Sequence, residues 1–282
     1  TRLGQREQAK ANRQRALAIH QRLVDEHPDV LAHVERLAGG FHHIGQLAEE
    51  EADLDAALDA FTRSANLRLE LMGKAKQNHR YAMQCARTVL GKARIELMRW
   101  QHGGGVPAER AAAEADLALA LQIVTPLLQQ HGDDVDVLTT FGGVHAALGQ
   151  LAIQDGRFAD AITGYERLRD AALAMLATAS HEPEVHYQLA MAGSGLLQAH
   201  VLSGDPGQAV VDGRAGFAAL EAGLARDARN SALRELAPTL AGRVAIALQN
   251  SGEHEAAARH LLQMAERRDL GNDCREQGCL LL

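Results

Sequence analysis

The sequence predicts an all-α fold, a solenoid of about five long helix–turn–helix units. Three observations point there. Alanine and leucine dominate the apolar residues, and only nine of 282 residues are aromatic; small and unbranched apolar side chains favour helix and let helices approach closely. The stretch Leu148 to Leu168, "LGQLAIQDGRFADAITGYERL", repeats the pattern of Ile44 to Ser64, "IGQLAEEEADLDAALDAFTRS", 104 residues earlier. Gly156, Gly204 and Gly252 recur at a spacing of 48, each where glycine can adopt the left-handed conformation that ends a helix. Self-similarity at a period of this size marks a helical repeat array.

Taken in order, residues 1–24 read as a helix that precedes the first full unit. Units near 28–76, 77–131, 134–179, 183–226 and 230–268 complete one repeat domain, 1–268, and 269–282 form an irregular tail without periodicity. The units align through a small residue opening each second helix: Ala57, Ala111, Ala161, Ala209 and Ala257. In the second unit the turn lengthens to "HGGGVPAER", with Pro107 placed to start a helix. An apolar stripe follows in the first unit at Leu54, Leu58, Phe61, Ala65, Leu69 and Met72, and in the third at Phe158, Ile162, Tyr165, Leu168, Ala172 and Met175. Steps of three and four keep one face inward, and a single hairpin cannot bury it alone, so neighbours must stack. Connections between units are expected at "DEHPDV" (25–30), "QHGDDVDV" (130–137), "SHEPEV" (180–185) and "ARDARNSAL" (225–233), where Pro, Gly, Asp and Asn break one helix and cap the next.

Composition narrows the function classes. A net charge of −7 argues against nucleic-acid binding as the main task. Lysine occurs only at Lys10, Lys74, Lys76 and Lys92, and the arginine and alanine bias is that of a GC-rich bacterial genome. Cys85, Cys274 and Cys279 cannot form a disulfide framework, so a reducing, cytoplasmic setting is expected. The first residues lack the apolar core of a signal peptide, and no transmembrane run of about 18 apolar residues is expected. Because the chain begins at Thr1 without methionine, it reads as a piece of something longer.

The interval of twelve residues from Gly45 to Ala57, and again from Gly149 to Ala161, resembles the tetratricopeptide repeat (TPR), whose first helix carries a small residue twelve positions before an alanine on the second. Phe41, Ile44, Ala48 and Phe61 occupy the family's bulky and small positions in the first unit; Leu148, Ala152 and Tyr165 do so in the third. The period here is near 50 where the family has 34, and Arg99, Leu197 and Ala245 stand where units two, four and five should carry the glycine. The resemblance implies a right-handed superhelix whose concave side is lined by first helices. The long repeat and "ALAIHQRLVDEHPDV" (16–30) are similar to the TPR region that follows the kinase domain in many bacterial serine/threonine protein kinases. No catalytic kinase motif is present: "RRDLGND" (267–273) resembles the catalytic loop only superficially, since its asparagine is misplaced.

Other chemistry finds little footing. His181 and His186 in "HEPEVH" are five apart across a proline, where a zinc-protease helix needs four; His42 and His43 point apart, and His254 and His260 are out of register. Cys274 and Cys279 are too few for a closed zinc site. "GGG" (103–105) lacks the Gly-Lys-Ser/Thr of a phosphate cradle, and "GSG" (193–195) falls within a first helix, where small residues serve close packing. No cofactor or metal is expected. The terminal Cys279-Leu280-Leu281-Leu282 matches a prenylation box, which makes Cys279 a lipidation candidate and a lipid-anchored, host-directed effector one alternative; an enzyme with a His/Glu site is another.

If the family's groove positions carry over, they select His42, Gln46 and Glu49 in the first unit, Glu96 and Trp100 in the second, Gln150 in the third, Gln198 in the fourth and Gln249 in the fifth. Gln46, Gln150 and Gln198 share one register, and a row of amides can hydrogen-bond an extended backbone; the simpler reading is a solvated helix face. Trp100, the only tryptophan, reads either as a binding anchor or as a plug between units. The lysine, asparagine and arginine of the family's chaperone-tail clamp are absent from these places. The expectation is therefore a non-catalytic protein-interaction module, a regulatory or substrate-recruiting region of a bacterial signalling protein, with a protein or peptide in the concave groove. Whether it forms a homodimer is left open.

Overall fold

A computed structural model describes residues 2–266, and every regular element among them is an α-helix. They run α1 (Arg2–Glu26), α2 (Leu31–Glu50), α3 (Leu54–Lys74), α4 (His79–His102), α5 (Pro107–Gln130), α6 (Val135–Gln154), α7 (Phe158–Leu176), α8 (Pro183–Ser203), α9 (Pro206–Arg226), α10 (Ser231–Asn250) and α11 (His254–Glu266). The expected all-α array of helical hairpins is the architecture found. The chain divides into two compact units, Thr1–Leu127 and Leu128–Leu282. In the first, α2 packs on α1 and α3, and α3 on α4; in the second, α6 to α11 each pack on their sequence neighbours, and the first helix α8 also touches the first helices α6 and α10. The "RRDLGND" stretch, Cys274, Cys279 and the terminal leucines lie outside the described residues.

Four of the turns inside hairpins share one construction. The chain leaves the first helix through a residue at positive φ, and the next backbone N–H reaches back to a carbonyl five residues earlier: Asp53 to Ala48, Arg157 to Ala152, Asp205 to His200 and Glu253 to Leu248. The positive-φ residue is Gly156, Gly204 and Gly252 in three of them, at 73°, 87° and 84°, and Ala52 at 59° in the fourth. This closure satisfies carbonyls the helix end would otherwise leave unpaired. Asp53, Asn78, Asp134, Asp205 and Asn230 cap the helices that follow through their side chains. At "DEHPDV" and "SHEPEV", however, the residues before α2 and α8 are Val30 and Glu182, neither of which makes a side-chain cap; Pro183 in the first turn of α8 supplies the preset φ there.

Three sequence expectations shift. Ala111 is exposed, and Ala113 is the buried alanine of α5. With Ala113, the interval to Ala161 becomes 48, matching those to Ala209 and Ala257; the interval from Ala57 becomes 56, and α4, 24 residues long where α2 has 20, supplies four of the eight additional residues. On α3 the inward face is Ala57, Ala60, Phe61, Ser64, Ala65, Arg68 and Leu71, while Leu54, Leu58, Leu69 and Met72 only flank it. Finally, α5 is long and apolar enough to cross a membrane by length and composition, which corrects the expectation that no such run exists. It buries Ala113, Leu117, Ala120, Val124 and Leu127 at a spacing that makes one face of a helix.

Candidate functional site

One aromatic ring in each unit fixes where the first helices stand. Phe61 on α3 lies between Gly45 of α2 and Gly91 of α4, and a methyl group added at either glycine would stand 3.0 Å from its ring. Tyr165 on α7 does the same between Gly149 of α6 and Gly195 of α8, at 2.5 and 2.3 Å. Both rings are buried, and each stabilises its unit by roughly 1.5–3 kcal/mol through the area it removes from water. Nearby, Gly193 of α8 meets Gly216 of α9 backbone to backbone, 2.5 Å from an added methyl group to the Gly216 Cα. The small residues of "GSG" thus serve close packing.

Between α2 and α4, with α3 behind, lies a cavity of about 500 Å³. Its lining includes Arg36, His42, His43 and Gln46 from α2, Arg68 from α3, and Arg80, Gln84 and Arg87 from α4. Glu35 is the only carboxylate among the lining residues, and Arg80 holds it in an ion pair. Arg36 and Arg87 are exposed and pair with no described residue. Arg68 sits on the inward face of its helix and is only 6 % exposed. It donates through Nη1 to the Gln84 carbonyl at 2.6 Å, while its Nε–H is buried without an acceptor. Burial, aided by Arg87, pulls its pKa down to about 10. It remains a cation at neutral pH.

The same field fixes the state of His42. Burial first, then Arg68, His43 and Arg87, pull its pKa down to about 3, so the ring is neutral at physiological pH. Its Nδ1 lies 3.0 Å from the Thr88 hydroxyl, and the ring meets Phe61 edge to face at 5.4 Å. His42 therefore links the packing wedge to the cavity wall.

Of the residues selected from the sequence, the cavity brings together His42 and Gln46. Gln46 is exposed and shares a 3.1 Å hydrogen bond with His43. Glu49 pairs with Arg94 of α4. Glu96 is 5 % exposed and 3.0 Å from Lys92, which also reaches Asp116 of α5 at 2.6 Å; burial raises the Glu96 pKa against the pull of Lys92. Lys92 ties α4 to α5, and Glu96, buried beside it on the same helix, offers no open carboxylate. Trp100 is half-buried at the end of α4, with the Arg110 guanidinium 5.1 Å from its ring centre. In the second unit, Gln150 and Gln198 are half-buried and Gln249 exposed, with no side-chain hydrogen bond to any described residue.

The arginines of the cavity are not legible as a group in the sequence because they come from three helices. One signal is present: Arg68 falls in the series Ala57, Phe61, Ser64, Arg68, Leu71, a charge on a core face. Likewise, Gly91 and Gly195 follow Gly45 and Gly149 at 46 residues in both units, a longer interval than the one within a hairpin. His42 and His43 both line the cavity, whereas the pair in "HEPEVH" assembles no site: His186 donates from Nε2 to the Ser180 carbonyl at 3.1 Å and His181 pairs with Glu182. Among the described residues no group of three His, Cys, Asp or Glu side chains is placed to hold a metal ion.

No protein-family model and no curated protein matches the sequence. Among solved structures, the chain is similar to a thermophilic TPR protein of Thermus thermophilus, with 16 % identity and a TM-score of 0.43 over 87 % of this chain and 100 % of that one.

Proposed function

We propose that this chain is a non-catalytic, TPR-type protein-interaction module that holds an extended partner segment on the faces of the first helices α2 and α4. The observation that carries this reading is the cavity between α2 and α4. Exposed side chains of two first helices form its rim, with the amides of Gln46 and Gln84 beside guanidinium groups, those of Arg36 and Arg87, that pair with no described residue. Amides and guanidiniums suit a peptide, because they can bond backbone carbonyls and acidic side chains in any local sequence. Gln150 and Gln198 stand in the register of Gln46 on α6 and α8, and Gln249 extends the set on α10; each is proposed to serve its own helix face in the same way.

The wider setting proposed is the regulatory or substrate-recruiting region of a cytoplasmic bacterial signalling protein such as a serine/threonine kinase. The resemblance of the long repeat and of residues 16–30 supports that setting. The test is selection of random displayed peptides against the purified chain. Enriched peptides should bind with a Kd that Gln46→Ala and Arg87→Ala weaken several-fold, while Asn66→Ala on the outer face of α3 leaves it unchanged. Failure to enrich any peptide, or binding indifferent to both first-helix variants, overturns the reading.

A further inference from the structure

The cavity's charge is unusual for this chain. A protein with a net charge of −7 gathers four guanidinium groups around one carboxylate in a space of about 500 Å³. Only Arg80 has an acidic partner there, Glu35. Arg36 and Arg87 project at the rim without one among the described residues, and Arg68 forms the back wall, more than nine-tenths buried, its Nε–H lacking an acceptor among them.

Folding alone gives no reason to keep this arrangement. Like charges in a half-buried site repel, and a buried cation with an unsatisfied donor costs stability. Such a cluster becomes favourable when an anion enters and accepts its hydrogen bonds. Three guanidiniums without ion-pair partners exceed what one carboxylate offsets. A phosphoryl group on a side chain carries about −1.5 to −2 charges and three strong acceptor oxygens, and planar guanidinium forks match its geometry.

We propose that the α2–α3–α4 cavity is a receptor for a dianionic phosphoryl group carried on a peptide segment, with Arg36, Arg68 and Arg87 as its ligands. This rests on the protein-interaction reading above and names the chemistry of the partner. Arg68 supplies the fixed back wall, since its bond to the Gln84 carbonyl and its burial hold the side chain in place. Arg36 and Arg87 close from the two sides. The cavity is far larger than a lone phosphate ion requires and falls in the range of ordinary ligand pockets, which leaves room for the residues flanking the phosphorylated one. Gln46 and Gln84 on the same walls are placed to bond that backbone. His42 stays neutral beside the site and adds no charge to the cluster of guanidinium groups.

The test uses the full chain and three synthetic 13-residue peptides of one neutral sequence, with serine, phosphoserine or glutamate at the centre. Binding is followed by fluorescence anisotropy at fixed ionic strength. The phosphoserine peptide should bind at least tenfold tighter than the serine peptide and clearly tighter than the glutamate one. Arg36→Gln and Arg87→Gln, both at exposed positions, should each remove most of that preference, while Arg63→Gln on α3, paired with Asp59 away from the cavity lining, should keep it. Circular dichroism of each variant checks the fold, and the two exposed positions avoid relying on Arg68 substitutions that could unfold the unit. Equal affinity for the three peptides overturns the proposal but leaves general peptide recognition standing. Phosphate-dependent binding that survives in the Arg36→Gln/Arg87→Gln double variant overturns the assigned site. Inorganic phosphate binding as tightly as the phosphopeptide overturns the peptide as its carrier, and stronger capture by phosphatidylserine vesicles that the phosphopeptide does not displace transfers the cluster to a lipid surface.

Discussion

Tyr165 and Gly195, thirty residues apart on neighbouring helices, meet so closely that a methyl group added at Gly195 would stand 2.3 Å from the Tyr165 ring. Phe61 and Gly91 hold the matching relation in the first unit at 3.0 Å. The ring fills the gap on the far side of its own hairpin, where the next repeat must approach, so one side chain joins three helices.

Gly195→Ala should therefore destabilise the protein although alanine is the better helix former. Overpacking of a filled core costs about 1–3 kcal/mol, against a propensity gain of about 1 kcal/mol. Gly73→Ala, on α3 where no atom lies within 4 Å of the added methyl, should instead leave stability unchanged or raise it. Urea midpoints of the two variants separate the effects. In a Tyr165→Ala background the Gly195→Ala penalty should shrink, because the clash partner has gone; an undiminished penalty would assign it elsewhere.

Ala52 is the only non-glycine residue at positive φ among those described, at 59°. It occupies the position that Gly156, Gly204 and Gly252 take in three other turns. A Cβ there is strained by roughly 1–2 kcal/mol, part of which glycine returns as unfolded-state entropy. Ala52→Gly is expected to raise stability by about 1 kcal/mol, read as a higher thermal midpoint, and Gly204→Ala to lower it by a similar amount.

His42 and His145 are buried as neutral rings, with pKa values pulled down to about 3 and about 4, by burial first and then by neighbouring cations: Arg68, His43 and Arg87 for His42, Arg167 for His145. The unfolded chain takes up protons on these rings below its ordinary histidine pKa of about 6.5, and the folded chain does not. Stability is therefore full above about pH 6.5 and lost as pH falls towards 3–4. Between pH 7 and pH 4.5, His42 alone should contribute a loss on the order of 2 kcal/mol. Comparing urea midpoints at the two pH values for the natural protein and for His42→Asn checks this: the variant should show the smaller drop, and equal drops would place the acid sensitivity elsewhere.

Helical periodicity, the turn glycines and the twelve-residue interval from Gly45 to Ala57 are local, and each recurs in the structure. Ala111 reads as well as Ala113 because the extra length of α4 lies before the turn, where alanines at 111, 112 and 113 give periodicity no way to choose. The partners of Phe61 and Tyr165 in the next repeat depend on how hairpins stack. The cavity is less legible still. Arg36, Arg68, Arg80 and Arg87 read singly as solvated helix residues, and their convergence follows only once α2, α3 and α4 are packed; Arg68 on a core face is the one trace of it in the sequence.

The claim at the centre of this account is that a partner lies on the first-helix face of the α2–α4 pair. A photoreactive benzophenone amino acid at Gln46, exposed on α2 at the cavity wall, tests it directly when compared with the same group at Asn66, exposed on the second helix α3. With a peptide enriched by display as the partner, irradiation should give a strong crosslink from position 46, competed by unlabelled peptide, and none above background from position 66. Crosslinking from position 66 alone, or equally from both, would contradict the account.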